Sequence, residues 1–305
     1  MNPPLFCINS LQNGGVRLKK DLSAAIATLA AAAGTAFYPG RLACTFFAQT
    51  GSAAPIGIAF SAILFGLFCA CACKMARRAG AESLRSAYLS DPGLRGGAWL
   101  GGVHAAYMLL AGGWMLVLAG LTAARALPVQ GAFWIGIAAA MLIAIGLSAG
   151  MKRALPLAGG IALLAILSYY IALACDAREV NFYRQYGTEA ALDGAIPAAM
   201  LLASAYAAMN ALSASAAAVR FSGGVRSIAR YGLFCALGMA AINASAMAAL
   251  ARGGTRILSQ EAPFACLAAR WGSAGYAITL AAMALCACMT LAAAVNALFG
   301  RGRKC

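Results

Sequence analysis

Ala33-Gly34-Thr35-Ala36-Phe37-Tyr38-Pro39-Gly40-Arg41 stands in the middle of an apolar run that extends over residues 22–49. Twenty-eight residues are more than one bilayer crossing needs, and the centre of this run is poorly suited to helix. Pro39 removes a backbone donor and disfavours helical geometry at Tyr38. Gly34 and Gly40 flank the proline and tolerate unusual dihedrals. The run is expected to form two half-helices joined by an unwound stretch, a simple proline kink being the alternative. Unwound backbone at membrane depth persists only where protein or a water-filled cavity satisfies it. Arg41, just beyond the break, is expected to face a cavity, an acidic partner or an anionic ligand group, unless it snorkels to the interface.

The rest of the chain makes a membrane the setting for that run. Of the 305 residues 63% are hydrophobic and 10% charged, and the mean hydropathy is +0.81. Soluble domains carry about 25% charged residues, so an ordinary water-soluble enzyme and a disordered chain are excluded. Eight spans are expected, over 22–49, 53–73, 97–121, 130–150, 155–175, 194–218, 229–250 and 274–299. They form one membrane domain, 1–305, flanked by a polar N-terminal segment (1–20) and a tail (300–305). No cleavage site follows the first apolar core, so the first helix is expected to be retained.

The net charge of +15 would suggest nucleic acid on a soluble protein. Here it follows the loops. With a cytoplasmic N-terminus, sixteen of the basic residues fall on the inner side, among them Lys19, Lys20, Lys74, Arg77, Arg78 and Arg226. Six fall outside: Arg125, Arg178, Arg184, Arg252, Arg256 and Arg270. This positive-inside bias predicts both termini in the cytoplasm of a bacterial cell, with no nucleic acid among the partners. The cysteines do not form a disulfide scaffold. Cys69, Cys71 and Cys73 alternate, so the middle one points away from the others and no metal site is expected. Cys175 and Cys266 both fall in outer segments, where sequence does not establish a bridge. Residues 263–271 read as a short re-entrant or surface helix before the last span.

The sixth span is the second irregular one. Ser204-Ala205-Tyr206-Ala207-Ala208-Met209-Asn210-Ala211-Leu212-Ser213 places Tyr206, Asn210 and Ser213 in one polar stripe along an apolar segment. Such a stripe either ties helices together or lines a solute path. In the third span His104 and Tyr107 lie three apart. His104 is open to two readings, a proton relay or a hydrogen-bonded structural histidine. Gly146-Leu147-Ser148-Ala149-Gly150 matches the G-x-S-x-G pattern but ends an apolar helix, without the strand–turn–helix setting of a nucleophile elbow. No phosphate-binding loop is present, and no catalytic activity is expected.

Gly34-Thr35-Ala36-Phe37-Tyr38-Pro39-Gly40-Arg41, followed by Phe46-Phe47, resembles the first helix of the YkvI-like membrane proteins. In that family a Gly-x-Gly-Phe-x-x-Gly-Arg/Gln-Glu run precedes a Phe-Phe pair. Tyr206 to Asn210, Glu261-Ala262-Pro263 and Thr290 look similar as well. The family is related to the amino acid–polyamine–organocation transporters, which share the fold of the bacterial leucine transporter (LeuT). The resemblance therefore implies a truncated LeuT-like inverted repeat of five plus three helices (22–175 and 194–299), with helices 1 and 6 broken. Leu42 stands where the family has a glutamate, and Ala36 where it has a glycine.

On this basis the expected function is secondary transport of a small organic solute such as an amino acid. The solute would lie among Gly34, Thr35, Phe37, Tyr38, Gly40, Arg41, Tyr206, Asn210 and Ser213, with His104 and Tyr107 bordering it. A coupling ion, Na+ or H+, would use Ala33, Gly34 and Thr290, by analogy with the related fold. Besides solute and membrane lipid, a second copy or a partner subunit would complete the second repeat. Two other functions fit the span pattern: a non-catalytic membrane anchor of an oxidoreductase complex, and a receptor-like protein on a transporter scaffold.

Overall fold

The computed structural model describes residues 5–37, 40–81, 84–90, 96–149, 154–175, 192–219, 221, 224–251 and 263–299. Among these it is helical, with no strand. Helix α1 (Leu5–Phe37) is followed by α2 (Arg41–Phe46), a 3-10 segment (Ala48–Ala53) and α3 (Ala54–Arg78). Then come α4 (Leu84–Ser90), α5 (Gly97–Ala126), α6 (Ala132–Ala149) and α7 (Ala154–Cys175). The second half holds α8 (Leu192–Ala218), α9 (Val225–Ala251), the short α10 (Pro263–Ala268) and α11 (Gly272–Phe299).

Seven helices among the described residues are long and apolar enough to cross a membrane, against the eight expected; α1, in the first expected span, is not one of the seven, and the chain is a multi-pass, all-α membrane protein. The sequence punctuates them as expected. Pro55 opens α3, where a missing N–H costs nothing. Leu127, ahead of Pro128, turns extended and ends α5. The bundle's outside is apolar: Trp99, Leu110, Trp134, Leu142, Leu157 and Leu201 are largely exposed, as lipid-facing side chains are. Cys71 is exposed while Cys69 and Cys73 are buried, in line with their alternation.

The centre of the bundle is α1. It packs against α7, α8, α9 and α11 at once. Ala30, Ala31 and Ala32 have no exposure, and a run of small side chains is what permits four neighbours to approach one helix. At the start of the apolar run Asp21 is almost fully buried. It accepts from Ser227 Oγ at 2.7 Å and from Arg230 Nε at 2.9 Å, tying α1 to α9. Further along, Thr28 and Tyr231 join the same pair of helices through a 2.7 Å hydrogen bond.

Two expectations are corrected here. The sixth span is not broken: α8 is continuous from Leu192 to Ala218. Pro197 falls near its start, and the remainder is rich in Ala, Leu and Met, strong helix formers with no glycine among them. The polar side chains that made the segment look irregular turn back onto their own helix, Ser204 onto the Met200 carbonyl and Asn210 onto Tyr206. The first span is interrupted, but not into two equal halves, because the part beyond the break is the short α2 and a 3-10 segment.

Candidate functional site

Helix α1 ends at Phe37, and Gly40 adopts φ +84°, a left-handed conformation that a residue with a Cβ rarely takes. Arg41 then opens α2. Tyr38 and Pro39 lie outside the described residues, as do the side chains of Thr35 and Phe37. The interruption lies inside the bundle. Tyr206, about halfway along α8, is fully buried, and its ring meets those of Phe46 and Phe47 with centroids 5.4 and 4.9 Å away. Helix α2 also packs against α9.

Aromatic side chains close the other side of the break. A Cβ at Gly40 would come within 2.8 Å of the Phe264 ring, so α10 is seated directly on this residue. Phe264 in turn packs on Tyr170 of α7, with centroids 4.6 Å apart. Its carbonyl accepts from the Tyr169 hydroxyl at 3.0 Å, and that hydroxyl lies 2.7 Å from Thr279 of α11. The short helix read from residues 263–271 is thus a buttress for the interrupted span.

Of the expected ion residues Ala33, Gly34 and Thr290, the last two are in direct contact. The Gly34 N–H donates to Thr290 Oγ1 at 2.9 Å, and the Thr290 hydroxyl donates to the Ala31 carbonyl at 2.7 Å. A Cβ added at Gly34 would lie 2.7 Å from both the Thr290 Cβ and the Cys286 carbonyl. Gly34 is required for this approach of α1 and α11. The hydroxyl's single proton is committed to protein backbone, so this arrangement is a helix–helix clamp.

The polar stripe of α8 divides between two partners. Its Tyr206 end faces α2 and α9, where the Tyr206 hydroxyl donates to Asn243 Oδ1 at 2.8 Å. Asn210, fully buried, donates from Nδ2 to the Tyr206 carbonyl at 2.8 Å. Its Ser213 end faces α5. The Tyr107 hydroxyl donates to the Met209 carbonyl at 2.7 Å and lies 3.0 Å from Ser213 Oγ. One helical turn on, His104 Nε2 is 3.1 Å from the Leu212 carbonyl and 3.0 Å from Ser215 Oγ. A carbonyl can only accept, so Nε2 carries the proton, and His104 acts as a structural tie between α5 and α8. Tyr107, Ser213 and His104 therefore belong to a second cluster, apart from the break. Arg41 has an exposed side chain and stands outside the buried group.

Sequence reading missed three participants: Asn243, Tyr170 and Phe264. Asn243 had a signal, being a lone amide in the apolar Met239–Met247 stretch of the seventh span. The two aromatics had none, since their role depends on tertiary neighbours. Elsewhere, Ser148 donates to the Ile145 carbonyl within α6, which is helix and no nucleophile elbow, and Cys175 and Cys266 are free thiols. No protein-family model matches this chain, and no curated protein or solved structure is significantly similar to it. Fold and composition alone define its class, a multi-pass membrane protein that is all-helical among the described residues.

Proposed function

We propose that this chain is a secondary transporter, or a transporter-like protein, for a small organic solute such as an amino acid, acting in the bacterial cytoplasmic membrane with both termini inside. One observation carries this reading: the central helix of the bundle stops at Phe37 and helix resumes at Arg41, beside the ring of Tyr206. Backbone groups freed at such depth cost roughly 2–7 kcal/mol each when unpaired, so interruptions there persist where the groups hold something. The ends of α1 and α2 would supply the partial charges that the groups of a zwitterion require. The resemblance of Gly34–Arg41 and Phe46-Phe47 to the YkvI-like proteins supports the same reading, although the unbroken α8 departs from that fold's pattern.

A coupling ion at Ala33, Gly34 and Thr290 would require the Gly34–Thr290 clamp to open. Na+ or proton coupling is thus tied to movement of α11 against α1. The continuity of α8 favours a second reading, a non-catalytic anchor subunit, but that reading leaves the interruption beside Tyr206 without a purpose. Uptake of labelled amino acids by proteoliposomes decides between them. Transport that falls severalfold in Asn210→Ala and Arg41→Ala, both still folded, supports the proposal. A protein inert toward every amino acid, recovered with a redox enzyme, supports the anchor. Mass measurement in detergent reports whether a second copy or a partner subunit is needed.

A further inference from the structure

Asn243 has hydrogen-bonding capacity that the protein leaves unused. Its Nδ2 is the buried side-chain polar atom that, among the described residues, has no hydrogen-bond partner. The residue is 2% exposed, so bulk water does not serve it. Oδ1 accepts from the Tyr206 hydroxyl at 2.8 Å, and the NH2 group points the other way. Tyr206 is in turn clamped by the rings of Phe46 and Phe47. The unused donor thus lies where α8 and α9 meet the restarted part of the first span.

A buried amide nitrogen left unpaired is a standing cost, and native interiors rarely keep one without reason. Lipid tails offer no acceptor. We infer that Asn243 Nδ2 donates to an acceptor oxygen of the bound solute, which makes Asn243 a solute-binding residue that reads a carboxylate. This inference rests on the transport reading and names the group recognised. The electrostatics narrow the class further. Asp21 is the charged side chain that is buried among the described residues, and it lies midway along α1, paired with Arg230. Neutral donors facing the solute suit a carboxylate whose charge is offset by its own ammonium group, so an amino acid fits better than a bare organic anion.

The test uses the full-length protein in lipid nanodiscs. Radiolabelled L-alanine and L-leucine are the probes, with ethylamine and isoamylamine as their decarboxylated counterparts. Removing Asn243 alone would orphan the Tyr206 hydroxyl, so Tyr206→Phe is compared with Tyr206→Phe/Asn243→Leu, in which both partners are apolar. The double variant is expected to unfold at the higher temperature, because Tyr206→Phe alone leaves both polar atoms of Asn243 unpaired. The wild type is expected to bind at least one of the amino acids about tenfold or more tighter than its amine. The double variant is expected to lose about tenfold or more relative to Tyr206→Phe. Equal affinities of the two variants for the amino acid, or an amine bound as tightly as its acid, would overturn the role of Asn243 and leave transport standing. Binding of neither amino acid to the wild type would overturn both.

Discussion

The first and sixth spans begin from similar material and reach opposite structures. Each is an apolar run carrying polar or conformationally awkward residues at its centre. In the first, the awkward residues act on the backbone itself: Gly40 takes a left-handed conformation, and the helix stops at Phe37 and restarts at Arg41. In the sixth, they act through side chains, and α8 continues because Asn210, Ser204 and Ser213 return their hydrogen bonds to carbonyls one turn back. Polar side chains in a span therefore predict hydrogen-bonding partners, whereas Gly and Pro predict interruption.

Substitutions along the two spans test that difference. The largest effect is expected at Gly34, where any side chain meets Thr290 and the Cys286 carbonyl. Gly34→Val should cost about 3 kcal/mol in thermal unfolding, and Thr290→Ala in the same chain should recover part of it. An unaffected Gly34→Val would mean that α1 and α11 do not approach as described. Next comes Gly40. Its conformation costs about 1–2 kcal/mol for a residue with a Cβ, to which contact with Phe264 adds. Gly40→Asn should be better tolerated than Gly40→Val, because asparagine accepts left-handed geometry more readily. Equal losses would assign the whole effect to Phe264.

A smaller loss, about 1–2 kcal/mol, is expected for Thr290→Val, which deletes both backbone hydrogen bonds of the clamp while keeping its volume. If that clamp must open during transport, uptake by this variant should change in its ion dependence as well as in its stability. The smallest effects belong to the contact between the sixth span and α5. Tyr107→Phe or Ser213→Ala should cost about 0.6 kcal/mol each, and less than additively when combined, since they share the Met209 carbonyl. Neither should alter the KM for solute. A severalfold change in KM from Ser213→Ala would return the lower stripe to the solute path and weaken the division made above.

Much of this arrangement was legible in the residues. Hydropathy and length marked most of the later spans closely, though not the first, because lipid imposes a fixed length on apolar helices. The left-handed turn at Gly40 was legible for a local reason too, and so was the short helix before the last span. The meeting of Gly34 with Thr290 followed from resemblance alone; no spacing in the chain announces it. What could not be read was how each polar group is spent. Tyr206 and Ser213 occupy one stripe, yet one turns to Asn243 and the other to Tyr107, a choice made by α9 and α5. Asp21 gave no hint of its burial, since only the folded bundle brings Ser227 and Arg230 to it.

Backbone hydrogen exchange of the full-length protein in nanodiscs tests the central claim most directly. The amides of Leu42 and Ala43 lie in the first turn of the short α2, whereas those of Tyr206 to Ser213 lie within a long continuous helix. If the interrupted first span is hydrated and holds solute, a peptide covering Gly40 to Ala43 exchanges well before one covering Tyr206 to Ser213, and a transported amino acid slows the first without altering the second. Equal and lasting protection of both peptides, unchanged by any amino acid, would contradict an interrupted, solute-binding first span.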